Sequence, residues 1–208
     1  MPHRKKNLPF GPTPGFEHVN RFWDKRRNIV MAKILPGEFY VTKQDEAIGT
    51  VLGSCVAACV RDPVAGCGGM NHFMLPHTDD SPHEMLSSAF RYGNYAMEHL
   101  VNELLKMGAR RGRLEFKLFG GGRIVNGLSD VGQRNIDFVR KYMELEGYRI
   151  AVEDLGGDHP RKIIYFPLTG KVLLKRLETL HNTTILSRET QYQGTLDTTP
   201  VSGEVDLF

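Results

Sequence analysis

Polar and apolar positions along this chain change mostly at short intervals, in blocks of four to eight residues that read as strands. Two stretches instead carry the helical period. Ala89, Tyr92, Ala96, Leu100, Leu104 and Met107 recur at spacings of three and four, and Val101 and Leu105 widen the stripe, which predicts a helix over residues 88–107. Ser87 or Ser88 is its candidate cap and Gly108 its stop, while Gly93 weakens its middle. A second helix opens at residues 132–135, is carried by Ile136, Val139 and Met143, and closes at Gly147. Strands are predicted over residues 28–35, 38–42, 113–119, 148–154, 162–166 and 171–175, with turns at Pro36-Gly37, Gly156-Gly157 and Thr169-Gly170. The region between the second strand and the first helix reads as a β-hairpin, and residues 77–87 as an exposed loop. The expected body is a single α+β domain over residues 28–177, with many strands and two main helices.

The ends differ from that body. Residues 1–27 hold four prolines and little periodicity, and carry seven Lys or Arg against Glu17 and Asp24. They read as a basic, flexible extension. Residues 178–208 are polar and read as a flexible tail. The basic end could face an acidic partner, but no nucleic-acid motif accompanies it, so no nucleic-acid partner is expected. In 208 residues, 40% are apolar and 25% charged, ordinary values for a soluble globular protein. No apolar run reaches the roughly 18 residues of a membrane helix, and no signal-peptide segment is present, so the expectation is a cytoplasmic protein that is not membrane-inserted. Three cysteines do not make a disulfide framework.

The hairpin region holds all three of them. A cysteine is a strong nucleophile only as thiolate and needs a base, for which histidine is suited. If the turn centres on Asp62-Pro63-Val64-Ala65, Cys55 and His72 stand opposite each other with Cβ atoms about 5 Å apart. Gly53 and Ser54 just before the thiol leave room for substrate, and the N–H groups there are candidates for holding an oxyanion. Two other readings stay open. Cys55, Ala57 and Cys59 would also pack on one strand face as small hydrophobes, with His72 a satisfied core histidine. Zinc ligation by Cys55, Cys59, Cys67 and His72 is a weaker rival, lacking a C-x2-C knuckle; no metal or other cofactor is expected. Gly120-Gly121-Gly122 lacks phosphate-loop spacing and is expected to let backbone pack closely, while Arg134-Asn135 could cap the second helix or line a site, the cap being the expectation.

Leu52-Gly53-Ser54-Cys55, Arg61-Asp62-Pro63, Gly68-Gly69 and His72-Phe73-Met74-Leu75-Pro76 resemble the signature of the chemoreceptor glutamine deamidase CheD family. So do Arg91-Tyr92-Gly93-Asn94-Tyr95-Ala96-Met97, Leu104-Leu105-Lys106-Met107-Gly108-Ala109, Gly120-Gly121-Gly122, Val131-Gly132-Gln133-Arg134-Asn135, Glu153-Asp154-Leu155-Gly156-Gly157 and Gly170-Lys171. The resemblance covers residues 30–176. It implies mixed β-sheets in a sandwich-like arrangement flanked by helices. It also implies a cysteine amidohydrolase that converts glutamines of methyl-accepting chemotaxis receptors to glutamate, tuning chemotaxis signalling. By the same resemblance Cys55 is the nucleophile and His72 the base. The partners it implies are the receptors' cytoplasmic domains and, for some members, a CheC-type phosphatase. Its third catalytic residue is a threonine six places before the cysteine, where this chain has Gly49. Thr50 is the candidate in its place, although a regular strand would aim it at the opposite face. The alternatives are a non-catalytic adaptor or phosphatase-binding partner, and a receptor methylesterase using the same dyad.

Overall fold

The computed structural model describes residues 8–76, 82–124, 131–177 and 183–198. The strands are β1 (Asn20–Asp24), β2 (Ile29–Lys33), β3 (Phe39–Thr42), β4 (Glu46–Leu52), β5 (Val56–Asp62), β6 (Cys67–Asn71), β7 (Glu115–Gly120), β8 (Ile150–Leu155), β9 (Arg161–Phe166) and β10 (Lys171–Arg176). The helices are α1 (Pro82–Lys106), α2 (Val131–Leu145) and α3 (Thr183–Thr198). Two five-stranded mixed sheets result, in the orders β1-β2-β4-β9-β10 and β3-β6-β5-β7-β8. The pairs β2–β4 and β7–β8 are parallel and the others antiparallel.

Alternation places the layers. In β4 and β9, Ile48, Leu52, Ile163 and Tyr165 join the main core, while Ala47 and Ile164 meet Met31 in a small cluster on the outer face. In the second sheet Phe73, just past β6, packs edge-on against Phe138 of α2, and the Asn71 amide reaches the Ala96 carbonyl of α1. The second sheet is thus covered by the first on one face and by α1 and α2 on the other. Its central strand β5 has both faces inside, so residues 56–60 form an unbroken apolar run, all fully buried. Gly93 has a packing reason: a Cβ there would lie 2.4 Å from the Phe138 ring, so its bare backbone lets α2 approach α1.

Several boundaries differ from the sequence reading. The first helix starts at Pro82, where proline suits the first turn, rather than at residue 88. Residues 20–24, expected within a flexible extension, form β1 against β2. Phe16 and Val19 are buried beside it. Arg21 Nε donates to the buried Glu46 carboxylate at 2.9 Å, and that carboxylate also accepts from Tyr40 Oη and Thr42 Oγ1. Part of the basic excess is therefore a structural ion pair. Residues 183–198, expected as tail, form α3.

The β5–β6 turn is two residues longer than expected, which moves its centre by one position. Asp62 pairs with Cys67, so the loop is residues 63–66, closed by the Gly66 N–H on the Asp62 carbonyl with Gly66 at φ 62°. The Asp62 side chain anchors this turn. It accepts from the N–H groups of Val64, Ala65 and Arg110 and from Arg113 at 2.7 Å. Burial raises its pKa, but the Arg113 guanidinium and the turn N–H groups outweigh that and hold it below the usual carboxylate range. Asp62→Ala strands these donors and should lower stability by about 3 kcal/mol. An unfolding free energy from urea titration lowered by less than a third of that would show the turn needs no such anchor.

Candidate active site

Between Leu52 and Val56 the chain leaves the first sheet and enters the second, so residues 53–55 run in neither ladder. Cys55 sits at this crossover, completely buried. Val56 and Phe73 exchange both backbone hydrogen bonds, at 3.0 and 2.9 Å. On that register Cys55 stands opposite Met74 and His72 opposite Ala57. The expected direct pairing of Cys55 with His72 is therefore wrong by two residues, the consequence of the longer turn. They are diagonal neighbours on the face toward the first sheet, a separation the imidazole spans. Cys55 Sγ, a His72 ring nitrogen and a Glu189 carboxylate oxygen all lie within 4.8 Å of one another.

Thr50 reaches this group from the other sheet. β4 pairs with β2 and β9 without a register shift, and its inner face carries Ile48, Thr50 and Leu52. Gly49 faces outward, where an added Cβ would lie 3.1 Å from Met31 Sδ. The expectation that a regular strand turns Thr50 away from the histidine is thus corrected: it is Gly49 that faces away. Thr50 Oγ1 lies 2.8 Å from His72 Nδ1 and 2.9 Å from the Ile34 carbonyl. A carbonyl only accepts, so the single hydroxyl proton goes to Ile34 and both bonds form only when Nδ1 carries its hydrogen. That leaves Nε2 with its lone pair, and Nε2 is buried with no hydrogen-bond partner among the described residues. Burial lowers the His72 pKa from 6.5 to about 3, so the ring is a neutral base near neutral pH.

The crossover also gathers donors. The N–H of Gly53 donates to Glu189 Oε1 at 2.8 Å, that of Ser54 to Oε2 at 2.9 Å, and that of Cys55 to Oε1 at 3.4 Å. Ser54 Oγ adds 2.8 Å to Oε2. Gly53 and Ser54, the oxyanion candidates, therefore already hold an anion, on Glu189 of α3. Burial, followed by the Glu189 charge, raises the Cys55 pKa well above the ordinary thiol value, so the thiol is protonated. Sulfur, nitrogen and carboxylate together are metal-ligand types, but both Glu189 oxygens are taken by N–H donors. The group fits an anion in a backbone cradle better than a coordination sphere. Cys59 and Cys67 are free and buried and stand outside this grouping.

Two further groups support the turn. Asn135, read as a cap, is fully buried; its Oδ1 accepts from the Leu75 N–H and its Nδ2 donates to the Ser54 carbonyl, each at 2.9 Å. It ties the cysteine turn to the segment after His72. Gly121 and Gly122 donate to the carbonyls of Cys55 and Gly53, and a Cβ on Gly120 would lie 2.1 Å from the Cys55 oxygen. The glycine run allows the close approach expected of it. Glu189 was missed because it lies in a polar stretch. Its only signal is the spacing of Ile185, Glu189, Tyr192 and Leu196, a helical stripe with an acid inside it.

His72 gives a pH prediction. Below about 6.5 the unfolded chain binds a proton that the folded chain refuses until about pH 3. Across that window this residue should reduce stability by about 1.4 kcal/mol per pH unit as pH falls. His72→Gln should remove that component, seen by comparing urea unfolding of both proteins at pH 7 and 5. Nitrogen NMR at pH 5 should show a neutral ring protonated at Nδ1; an imidazolium signal would overturn the assignment.

Comparison with known proteins gives the family. The family model described as "CheD chemotactic sensory transduction" matches residues 74–176. The chain is 57% identical to a probable chemoreceptor glutamine deamidase CheD of Hahella chejuensis, over 99% of this chain and 98% of that one. It is 53% identical to a protein of the same description from Halorhodospira halophila, over 94% and 92% of the two chains. For one from Hydrogenovibrio crunogenus the identity is 54% over 89% and 97%. With more than half of its residues shared along nearly its whole length, the chain belongs to the chemoreceptor glutamine deamidase CheD family.

Proposed function

We propose that the protein deamidates glutamine side chains of chemoreceptors by way of a Cys55 thioester, with His72 as the base and Thr50 as the residue that positions it. The observation that carries this reading is the buried thiol beside an imidazole whose Nε2 is unpartnered, next to three convergent N–H groups. The substrate carboxamide oxygen takes the place of a Glu189 oxygen in that cradle. The thiol proton passes to His72 Nε2 and Sγ adds to the carboxamide carbon. The N–H groups of Gly53 and Cys55, which meet at one Glu189 oxygen, hold the oxyanion. The imidazolium, steadied at Nδ1 by Thr50, gives its proton to the leaving nitrogen, and ammonia departs. Water, deprotonated by Nε2, then cleaves the thioester to leave glutamate.

The relatives' description as chemoreceptor deamidases supports the receptor as partner. The receptor's cytoplasmic domain as the part met, and the cytoplasm as the compartment, rest on the sequence resemblance. Among the described residues no helix is long and apolar enough to cross a membrane. A CheC-type phosphatase as second partner rests on the sequence resemblance. A methylesterase would run through the same thioester and release methanol; ammonia release separates the two.

Receptor cytoplasmic fragments incubated with the protein should gain about 1 Da at particular glutamines, by mass spectrometry of a digest, and Cys55→Ala should abolish the change. An unchanged rate in Cys55→Ala would refute the thioester. Thr50→Val should lower kcat at least about tenfold with KM nearly constant, and Thr50→Ser should restore it. A Thr50→Val effect on KM alone would remove Thr50 from the positioning role.

A further inference from the structure

Resting on that deamidase reading, we propose that α3 is an intramolecular product mimic: Glu189 stands where the side chain of a deamidated glutamine stands, and α3 keeps the site shut until a substrate displaces it. A helix that docks for stability buries its apolar residues. Among the described side chains of α3, Ile185, Tyr192 and Leu196 are half-buried, and the one fully buried residue is an acid, Glu189 at 6% exposure. Acids are almost never buried so completely without a dedicated partner. Here the partners are the N–H groups beside the nucleophile.

The side chain is also the right chemical species. Deamidation of glutamine leaves a γ-carboxylate on a two-carbon stem, which is the Glu189 side chain. The cradle prefers it over the substrate. Both carboxylate oxygens accept, Oε1 from Gly53 and Cys55 and Oε2 from the Ser54 N–H and hydroxyl. A carboxamide accepts at one atom only, and its nitrogen would meet the Ser54 N–H with nothing to offer it. The acid therefore seats more firmly than the amide. It also keeps the nucleophile quiet, since its charge adds to burial in holding the Cys55 thiol protonated.

Helix geometry delivers the residue. Ile185, Glu189, Tyr192 and Leu196 share one face, and Tyr192, one turn beyond Glu189, is hydrogen-bonded through its hydroxyl to Tyr92 of α1. The Tyr192 ring lies over Gly37, where an added Cβ would sit 2.6 Å from its hydroxyl oxygen. The surface under α3 thus accepts a helix that presents a γ-carboxyl or γ-carboxamide side chain with an aromatic residue three positions later. That is the substrate form the site fits: a glutamine on a helix.

The test is Glu189→Gln, which puts a carboxamide in the seat. Cys55 Sγ should add to the carbon of that introduced carboxamide, the C–N bond should break with a proton from His72, and water should then cleave the thioester. One water is consumed, one ammonia is released and glutamate is regenerated. Mass spectrometry of the purified full chain should show residue 189 gaining about 1 Da, at a rate independent of protein concentration, and no gain when Cys55→Ala is added. Glu189→Ala should make Cys55 react with iodoacetamide about tenfold faster at neutral pH, with Cys59 and Cys67 unchanged. If the introduced carboxamide persists while the same protein deamidates receptor fragments, the mimic is refuted and the enzyme reading stands. If Cys55 alkylation is unchanged in Glu189→Ala, the closure is refuted. If neither the carboxamide at position 189 nor any receptor glutamine is altered, the deamidase reading fails and the mimic with it.

Discussion

A chain that crosses from one sheet to another must turn with its amides outside both ladders, and buried amides without partners are costly. Residues 53–55 make that crossing, and their three N–H groups point to one carboxylate, two to one oxygen and one to the other. The surrounding structure follows from holding them there. The glycine run at 120–122 fixes the carbonyl side of the same turn, and Asn135 pins it to the segment following His72. The buried Arg161 extends this frame, donating to the carbonyls of Gly120, Asp154 and Gly156. A thiol at the end of such a turn carries an anion cradle in its own backbone.

The two sheets meet chemically as well as physically. Thr50 belongs to one and His72 to the other, so the bond that sets the imidazole tautomer is also a contact between layers. Its acceptor side is fixed by Ile34, just past β2 in the first sheet. Sliding one layer against the other would break the tautomer before it exposed the core.

Much of this was legible in the sequence, for physical reasons. Alternation and helical spacing are local, and they located the hairpin, both main helices and most strands. Cys55 and His72 were legible because a thiol and an imidazole flank a turn-forming stretch. The register was not, because the loop runs on to the left-handed Gly66 and is two residues longer than a tight turn on Asp62-Pro63-Val64-Ala65, which composition cannot count. Thr50 was misjudged for a related reason: its face depends on which sheet β4 joins, and its partner is twenty-two positions away. The N-terminal strand was hidden because Arg21 looks like solvated charge until Glu46 is found buried beneath it. Glu189 was the least legible, since the groups that give it meaning lie more than 130 positions earlier in the chain.

The burial of Cys55 has a consequence for its survival. Oxidants attack thiolates that they can reach, and each step beyond the sulfenic acid is hard to reverse. A thiol held protonated, with no solvent-exposed surface and a carboxylate beside it, offers neither the charge nor the access. Burial of this kind works as a sheath against peroxide, and any opening that exposes the sulfur also exposes it to oxidation.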